Sequence, residues 1–227
     1  MTMPLMLFAA GFGTRMGALT KDRPKPLIHV AGRPLIDHAL EIAQGAGVDR
    51  IVANLHYRAE MIEAHVAERN VLTIRETPDI LETGGGLRAA LPLLDSDTVM
   101  TLNSDAVWAG PNPLMLAKKT WEPARMDALL VCVPVANTHG YSGTGDFQLQ
   151  PDGQITRGSG LVYAGAHILK TDMLHEVDEA AFSLNVVWNR MAERGRLFGV
   201  EYAGQWCDVG HPAGIAAAEQ MLAQQDV

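Results

Sequence analysis

A short, unbroken apolar run from Leu5 to Ala10, closed by Gly11, is the feature that most constrains this chain. A strand with no polar residue on either face belongs where both faces are covered. That is the condition of a central strand in a parallel sheet with helices on each side. The next hundred residues repeat the condition. Pro34 to Ala46 carries Leu35, Ile36, Ala39, Leu40, Ile42 and Ala43 on one broad helical face, with Gly45 and Gly47 to close it. Arg50 to Leu55 predicts a second strand, Glu60 to Arg69 a second helix and Val71 to Ile74 a third strand. Leu87 to Leu94 predicts a short helix after a loop containing Gly84-Gly85-Gly86. Thr98 to Leu102 predicts a fourth strand that ends at Asn103-Ser104-Asp105. Strands alternating with helices in this way build βαβ units and a mostly parallel sheet.

After about residue 106 the pattern changes. Met126 to Val135 and Leu161 to Leu169 predict strands, and Asp146 to Ile155 a hairpin turning at Pro151-Asp152-Gly153. Helices follow over Leu184 to Arg194 and Pro212 to Gln224. With no repeat and no low-complexity linker, residues 1–227 are expected to form one α/β domain. A β-rich portion from about 107 to 227 is appended to a portion spanning about 1–106.

Lys and Arg number 18 against 26 Asp and Glu, a net charge of −8. That balance opposes a protein whose main work is gripping nucleic-acid phosphates. It leaves room for one phosphorylated small molecule, since a local patch of cations suffices. The two cysteines, Cys132 and Cys207, lie 75 positions apart and have no zinc-like CxxC spacing, which favours reduced thiols and a cytoplasmic protein. The apolar N-terminus has no basic residue ahead of it and runs into glycines, so it reads as a buried strand and not a signal peptide. No apolar stretch is long enough to cross a membrane. The eight histidines show no metal-binding spacing, and His65, Met61, Met115, Met191 and Met221 on helical faces read as packing residues.

Chemistry enters at Ala10-Gly11-Phe12-Gly13-Thr14-Arg15-Met16-Gly17, directly after the first strand. Glycines there let backbone N–H groups approach an oxyanion, at the position where α/β sheets cradle phosphates. The spacing misses the dinucleotide GxGxxG by one residue, and the Lys-Ser/Thr of a phosphate-binding P-loop is absent. Taken alone, the segment is a weak pattern, with a plain structural turn as the alternative. Lys25 strengthens it: flanked by Pro24 and Pro26, it sits on a stiff extended segment unsuited to a helix. A solvated surface Lys is the alternative.

Together, Leu7 to Met16, Pro24-Lys25-Pro26-Leu27 and Val30-Ala31-Gly32-Arg33-Pro34-Leu35-Ile36 closely resemble the opening of the sugar-1-phosphate nucleotidyltransferases. The resemblance implies a Rossmann-like, mostly parallel mixed sheet flanked by helices, of the glycosyltransferase-A-like type. The first part would bind nucleotide, and the smaller β-rich part sugar. It implies that Ala10, Gly11 and Gly13 face the nucleoside triphosphate, with Arg15 and Lys25 as the catalytic cations. Leu81-Glu82-Thr83-Gly84-Gly85-Gly86 is similar to the base-clasping loop, placing Glu82, Thr83 and Gly85 at the nucleobase. That run is most like the N-acetylmuramate-1-phosphate uridylyltransferases of bacterial cell-wall recycling. UTP and N-acetylmuramate 1-phosphate are therefore the implied substrates, with UDP-N-acetylmuramate and pyrophosphate as products.

The same resemblance assigns Asn103 to the ribose or metal shell and Asp105 to Mg²⁺. Here Ser104 stands where the family usually has Gly. Trp206-Cys207-Asp208-Val209-Gly210 resembles the motif whose Asp completes the metal site; on its own, Asp208 reads as a turn residue before the last helix. Gly145-Asp146-Phe147, Gly165 and Asn185 resemble sugar-phosphate-binding positions, although Asp146 is equally a hairpin-start residue. Other sugar or alcohol phosphates paired with dTTP, GTP or CTP remain open, as does a catalytically silent nucleotide-binding domain. Oligomeric state is not legible.

Overall fold

The N-terminal apolar run forms strand β1 (Leu5–Phe8), in which Leu5, Met6 and Leu7 are wholly buried. The computed structural model of the protein describes residues 3–224. The strands that follow are β2 (His29–Val30), β3 (Arg33–Pro34), β4 (Ile51–Leu55), β5 (Val71–Arg75), β6 (Thr98–Asn103) and β7 (Ala106–Ala109). Then come β8 (Ala128–Pro134), β9 (Thr138–His139), β10 (Phe147–Leu149), β11 (Ile155–Arg157), β12 (Leu161–Lys170), β13 (Leu197–Glu201) and β14 (Gln205–Asp208). The helices are α1 (Leu35–Gly45), α2 (Ala59–Val66), α3 (Glu82–Leu94), α4 (Pro113–Thr120), α5 (Leu184–Glu193) and α6 (Pro212–Ala223). Met1, Thr2 and residues 225–227, which the sequence assigns to the ends of the domain, lie outside the described residues.

The main sheet runs β11-β10-β12-β6-β1-β4-β5, with β8 alongside β12 and β13 alongside β8. The pairs β6-β1, β1-β4 and β4-β5 are parallel, as the alternation of strands and helices predicts. Strand β12 enters antiparallel to β6, with His167 opposite Thr101. Successive side chains of a strand point to opposite faces, so β1 serves two cores at once. Leu5 and Leu7 pack with Ile36 and Leu40 of α1 and Ile62 of α2. Met6 packs on the other face with Leu87 and Leu94 of α3 and Val187 and Trp188 of α5. A third cluster seats α6, through Ala218 and Met221, on the small sheet β7-β14-β9.

The structure departs from the sequence reading at several elements. The three glycines are inside α3, which begins at Glu82 and not at Leu87. Each is there for close approach: a Cβ at Gly84 would strike the Phe182 ring, one at Gly85 the carbonyl of Ala180, and one at Gly86 the Glu76 carboxylate. The strands β7, β13 and β14 and helix α4 were not anticipated. Helix α4 does carry a start signal, since Asn112 Oδ1 caps Leu114 N at 2.9 Å and Met115 N at 3.1 Å ahead of Pro113. Met115 is half exposed and not packed in the core. His65 pairs with Asp37 at 2.7 Å, where Arg69 also binds, instead of packing on apolar neighbours.

These approaches predict different tolerances among the glycines. Gly85→Ala should lose about 1–3 kcal/mol of unfolding free energy through overpacking. Gly11→Ala, with open space around the new Cβ, should stay within about 0.5 kcal/mol of wild type. Denaturant titration of the two variants beside wild type checks this.

Candidate active site

The parallel strands β1 and β6 end side by side, and a cavity of about 230 Å³ opens at their carboxyl ends, where open α/β sheets bind ligands. Ala9, Ala10 and Gly11 line one edge, and Ile80, Glu82 and Thr83 the other. Asn54, Asn103, Ser104 and Asp105 form the floor, with Lys25 and Pro26 beside them. Seven of the sequence-predicted residues therefore meet at one cleft: Ala10, Gly11, Lys25, Glu82, Thr83, Asn103 and Asp105.

Lys25 is held as its two prolines suggest, with a local difference. Pro24 is extended, and Lys25 starts a single 3₁₀ turn, Lys25–Leu27. Its side chain is buried to 7% exposure and its Nζ lies 2.7 Å from Asp105 Oδ2. The glycine loop folds over this lysine. Gly13 sits at φ 65°, and a Cβ there would lie 2.9 Å from Lys25 Cβ, so both conformation and space call for glycine. Gly13 thus supports the lysine and does not itself line the cavity.

Asp208 arrives from a different part of the chain. Strand β14 pairs antiparallel with β7, setting Asp208 opposite Ala106, while Val209 N donates to Asp105 O at 3.2 Å. The two carboxylates predicted as a pair are brought together. Burial, and then the negative charge of Asp105, push the Asp208 carboxyl above its ordinary value; Lys25, Arg15 and His211 pull the other way. Arg15 lies outside the cavity on the 3₁₀ segment Thr14–Thr20; its Nη1 and the Asp208 carboxylate both face Gly210, where a Cβ would lie within 3.0 Å of each. Two neighbouring carboxylates, one of them held above its ordinary pKa by burial and by the charge of the other, suit a divalent cation. No cluster of three or more His, Cys, Asp or Glu that could hold a metal occurs among the described residues. A pair of carboxylates that leaves the remaining positions to water and phosphate oxygens is the donor set Mg²⁺ favours. The residues fit the ion.

Ser104, the departure from the family pattern, turns its hydroxyl away and donates to Phe8 O at 2.6 Å, locking β6 to the end of β1. Asn103 packs against Gly165, whose φ of 88° falls where β12 shifts register; a Cβ there would lie 2.7 Å from the asparagine Nδ2. Glu82 adopts φ 58°, an uncommon conformation for a residue with a Cβ, at the lip of the cleft. Gly85 does not reach the cavity. It is buried, and its N–H is spent on Phe182 O at 3.2 Å, alongside Gly84 N at 2.8 Å. Thr83 Oγ1 accepts from Leu184 N at 3.0 Å.

The residues read as sugar-side gather one step away. Asp146 Oδ2 accepts from Tyr163 N at 2.9 Å, and Gly145, at φ 108°, lies against Gly160. Arg157, which sequence reasoning missed, stacks 4.5 Å over Phe147 and donates to Asn185 Oδ1 at 2.6 Å and Asn189 Oδ1 at 3.0 Å. Burial lowers its pKa, and the nearby Asp146 charge offsets this. No motif flagged Arg157; its signal was only an arginine at the end of a short hairpin. Asn54 was missed too, as one polar residue in an apolar strand. The exposed Phe12 ring, 5.1 Å from His56, is a third.

The sequence profile of the MobA-like NTP transferase domain matches residues 5–224. The chain belongs to this family. This MobA-like NTP transferase is 40% identical to the N-acetylmuramate alpha-1-phosphate uridylyltransferase of Caulobacter vibrioides, over 96% of each protein. It is 30% identical to the enzyme of the same name from Neisseria meningitidis, over 96% of this chain and 98% of that one. Among solved structures it is similar to HddC from Yersinia pseudotuberculosis complexed with GMP-PN, with TM-score 0.78 and 22% identity, covering 96% and 99% of the two chains. A UDP-glucose pyrophosphorylase complexed with UDP-glucose gives TM-score 0.77 at 18% identity, covering 97% and 98%. These likenesses bear out the expected mixed sheet flanked by helices. No helix among the described residues is long and apolar enough to cross a membrane.

The raised pKa of Asp208 carries a sign for stability. An acid held above its ordinary pKa penalises the fold when ionised, and the penalty vanishes once pH falls below the unfolded value. Asp208→Asn should therefore melt higher than wild type at neutral pH in chelator. The expected gain is roughly 2–4 °C, the shift that about 1 kcal/mol produces at this size. The gap should close as pH falls through the carboxylate range, and a scanning-calorimetry series from pH 7 to pH 3 measures it.

Proposed function

We propose that this MobA-like NTP transferase moves the uridylyl group of UTP onto N-acetylmuramate 1-phosphate, giving UDP-N-acetylmuramate and pyrophosphate. The observation that carries the reaction type is the meeting of Lys25, Arg15, Asp105 and Asp208 at the mouth of the cleft. The choice of base and sugar is supported by the two relatives that bear this enzyme's name.

In this reading an oxygen of the sugar phosphate forms a new bond to the α-phosphorus of UTP. The bond from that phosphorus to the bridging oxygen breaks on the far side, and its electron pair leaves with pyrophosphate. No side chain is required to form a covalent intermediate, so catalysis comes from positioning and charge. Lys25 is held in place by Asp105 before substrate arrives, so its charge faces the α-phosphate without reorganisation. Arg15, on the exposed rim, offers a planar fork of donors to the departing pyrophosphate. Ala10 and Gly11 present backbone to the phosphates, Glu82 and Thr83 border the base, and Asn103 lies at the ribose. Gly145, Asp146, Gly165 and Asn185 frame the sugar phosphate. Asp105 and Asp208 would hold Mg²⁺, which when bound neutralises charge on the reacting phosphates. Both substrates are small molecules. The cytoplasm, which holds nucleoside triphosphates and keeps Cys132 and Cys207 reduced, is the compartment we assign.

A pyrophosphate-release panel tests the reading directly. UTP, dTTP, GTP and CTP are each paired with the 1-phosphates of N-acetylmuramate, glucose and mannose. UTP with N-acetylmuramate 1-phosphate should turn over fastest, and a faster pair elsewhere replaces the substrate assignment. In the same assay Lys25→Ala should lose about 10²–10³ in rate, the scale of one preorganised oxyanion donor. Near-normal turnover would remove Lys25 from the mechanism.

A further inference from the structure

Two polar side chains beneath the cleft are buried among apolar neighbours and have no part in the mechanism above. Asn54, on β4, is 3% exposed, and Glu76, directly after β5, is 2% exposed. Asn54 Oδ1 accepts from Ala9 N at 3.0 Å, and its Nδ2 donates to Glu76 Oε1 at 2.7 Å. Glu76 Oε2 accepts from Leu81 N at 2.7 Å. A four-member chain thus runs from the start of the glycine loop to the residue that opens α3.

The direction of every bond in it is set from its ends. A backbone N–H only donates, so Ala9 demands the oxygen of Asn54 and turns the NH₂ of that amide toward Glu76. Leu81 N–H, at the far end, also only donates. Glu76 must accept at both oxygens, which an ionised carboxylate does and a glutamine or a protonated acid does not. The carboxylate lies at the amino end of the 13-residue helix α3, whose positive dipole end favours an anion there. Gly86 leaves the room: a Cβ at that position would sit 2.8 Å from Asn54 Nδ2.

Of the residues so tied, Ala9 lines one edge of the cleft, and Leu81 lies between Ile80 and Glu82, which line the other. We infer that Asn54 and Glu76 are positioning residues that fix the separation of those edges, and hence the grip on the nucleoside triphosphate, through a chain of locked polarity. The inference rests on the reading of the cleft as the nucleotide site.

The test is a polarity swap. Glu76→Gln offers one acceptor to two donors, so one bond is lost whichever way the amides turn. Asn54→Asp sets two carboxylates against each other. In the double variant N54D/E76Q, the carboxylate at position 54 accepts from Ala9 N and from the new amide at position 76, whose oxygen accepts from Leu81 N. Every bond returns, with the middle one reversed. For UTP, each single variant should show a Kd by calorimetry and a KM raised about tenfold, the scale of one unpaired buried group. The sugar-phosphate KM should stay near wild type, and the double variant should recover to within about threefold. A single variant that fails to fold leaves the double variant as the deciding measurement. Single variants that melt lower but bind UTP like wild type would overturn the inference, as would a double variant no better than its parents. Wild type that binds no nucleoside triphosphate would overturn the functional reading instead. If wild type prefers another triphosphate, the four proteins are compared on that one.

Discussion

Burial and the neighbouring charge of Asp105 oppose the ionisation of Asp208, and the surrounding structure holds the two carboxylates together. Asp105 follows β6 in the middle of the main sheet, while Asp208 ends β14 in a separate small sheet. The pairing of β14 with β7 and the Val209–Asp105 backbone bond join the two. That junction is backed by the apolar cluster under α6, which includes Cys207 and Val209 on either side of Asp208, so packing keeps unfavourable charge in place. Lys25, wedged between its prolines and capped by the Gly13 loop, supplies partial compensation. Arg15 stays at the rim. The site is therefore a charge pattern completed by what binds to it.

The second organising element is the seam at which β12 meets β6. Parallel pairs lie on one side of it; on the other, β12 pairs antiparallel with β8 and β10, and β13 returns parallel to β8, with Thr101 and His167 opposite each other across the join. His167 Nδ1 is 2.6 Å from Thr101 Oγ1 and 2.7 Å from Tyr163 Oη, and burial pushes its pKa down to about 3. His167 therefore stays neutral at neutral pH. Beyond it, β12 shifts register against β8 between Tyr163 and His167, and within that shift Gly165 closes on the Asn103 side chain.

Local pattern carried much of this. The βαβ half was legible because its apolar periods are strong and its strands are buried on both faces; α1 was bounded within a residue at each end. The glycine loop, Lys25 and the two aspartates were legible through motif, with geometry left unstated. The rest depended on tertiary partners. Four-residue strands such as β7 and β14 are too short to show a period, so Asp208 read as a turn residue. Three consecutive glycines read as a loop because helix propensity penalises them, whereas Phe182, Ala180 and Glu76 press against exactly those positions. Asn54, Glu76 and Arg157 belong to no motif, and their partners lie many residues away.

The hydrogen bond from Leu184 N to Thr83 Oγ1, with the bonds from Gly84 and Gly85 to Phe182 O, welds the start of α3 to the start of α5. One helix start borders the cleft and the other borders the Asn185–Arg157 cluster. On the proposed reading, the two substrates would therefore not meet independent surfaces: a displacement of Thr83 would reach Leu184 through a single hydrogen bond, and the reverse would hold equally.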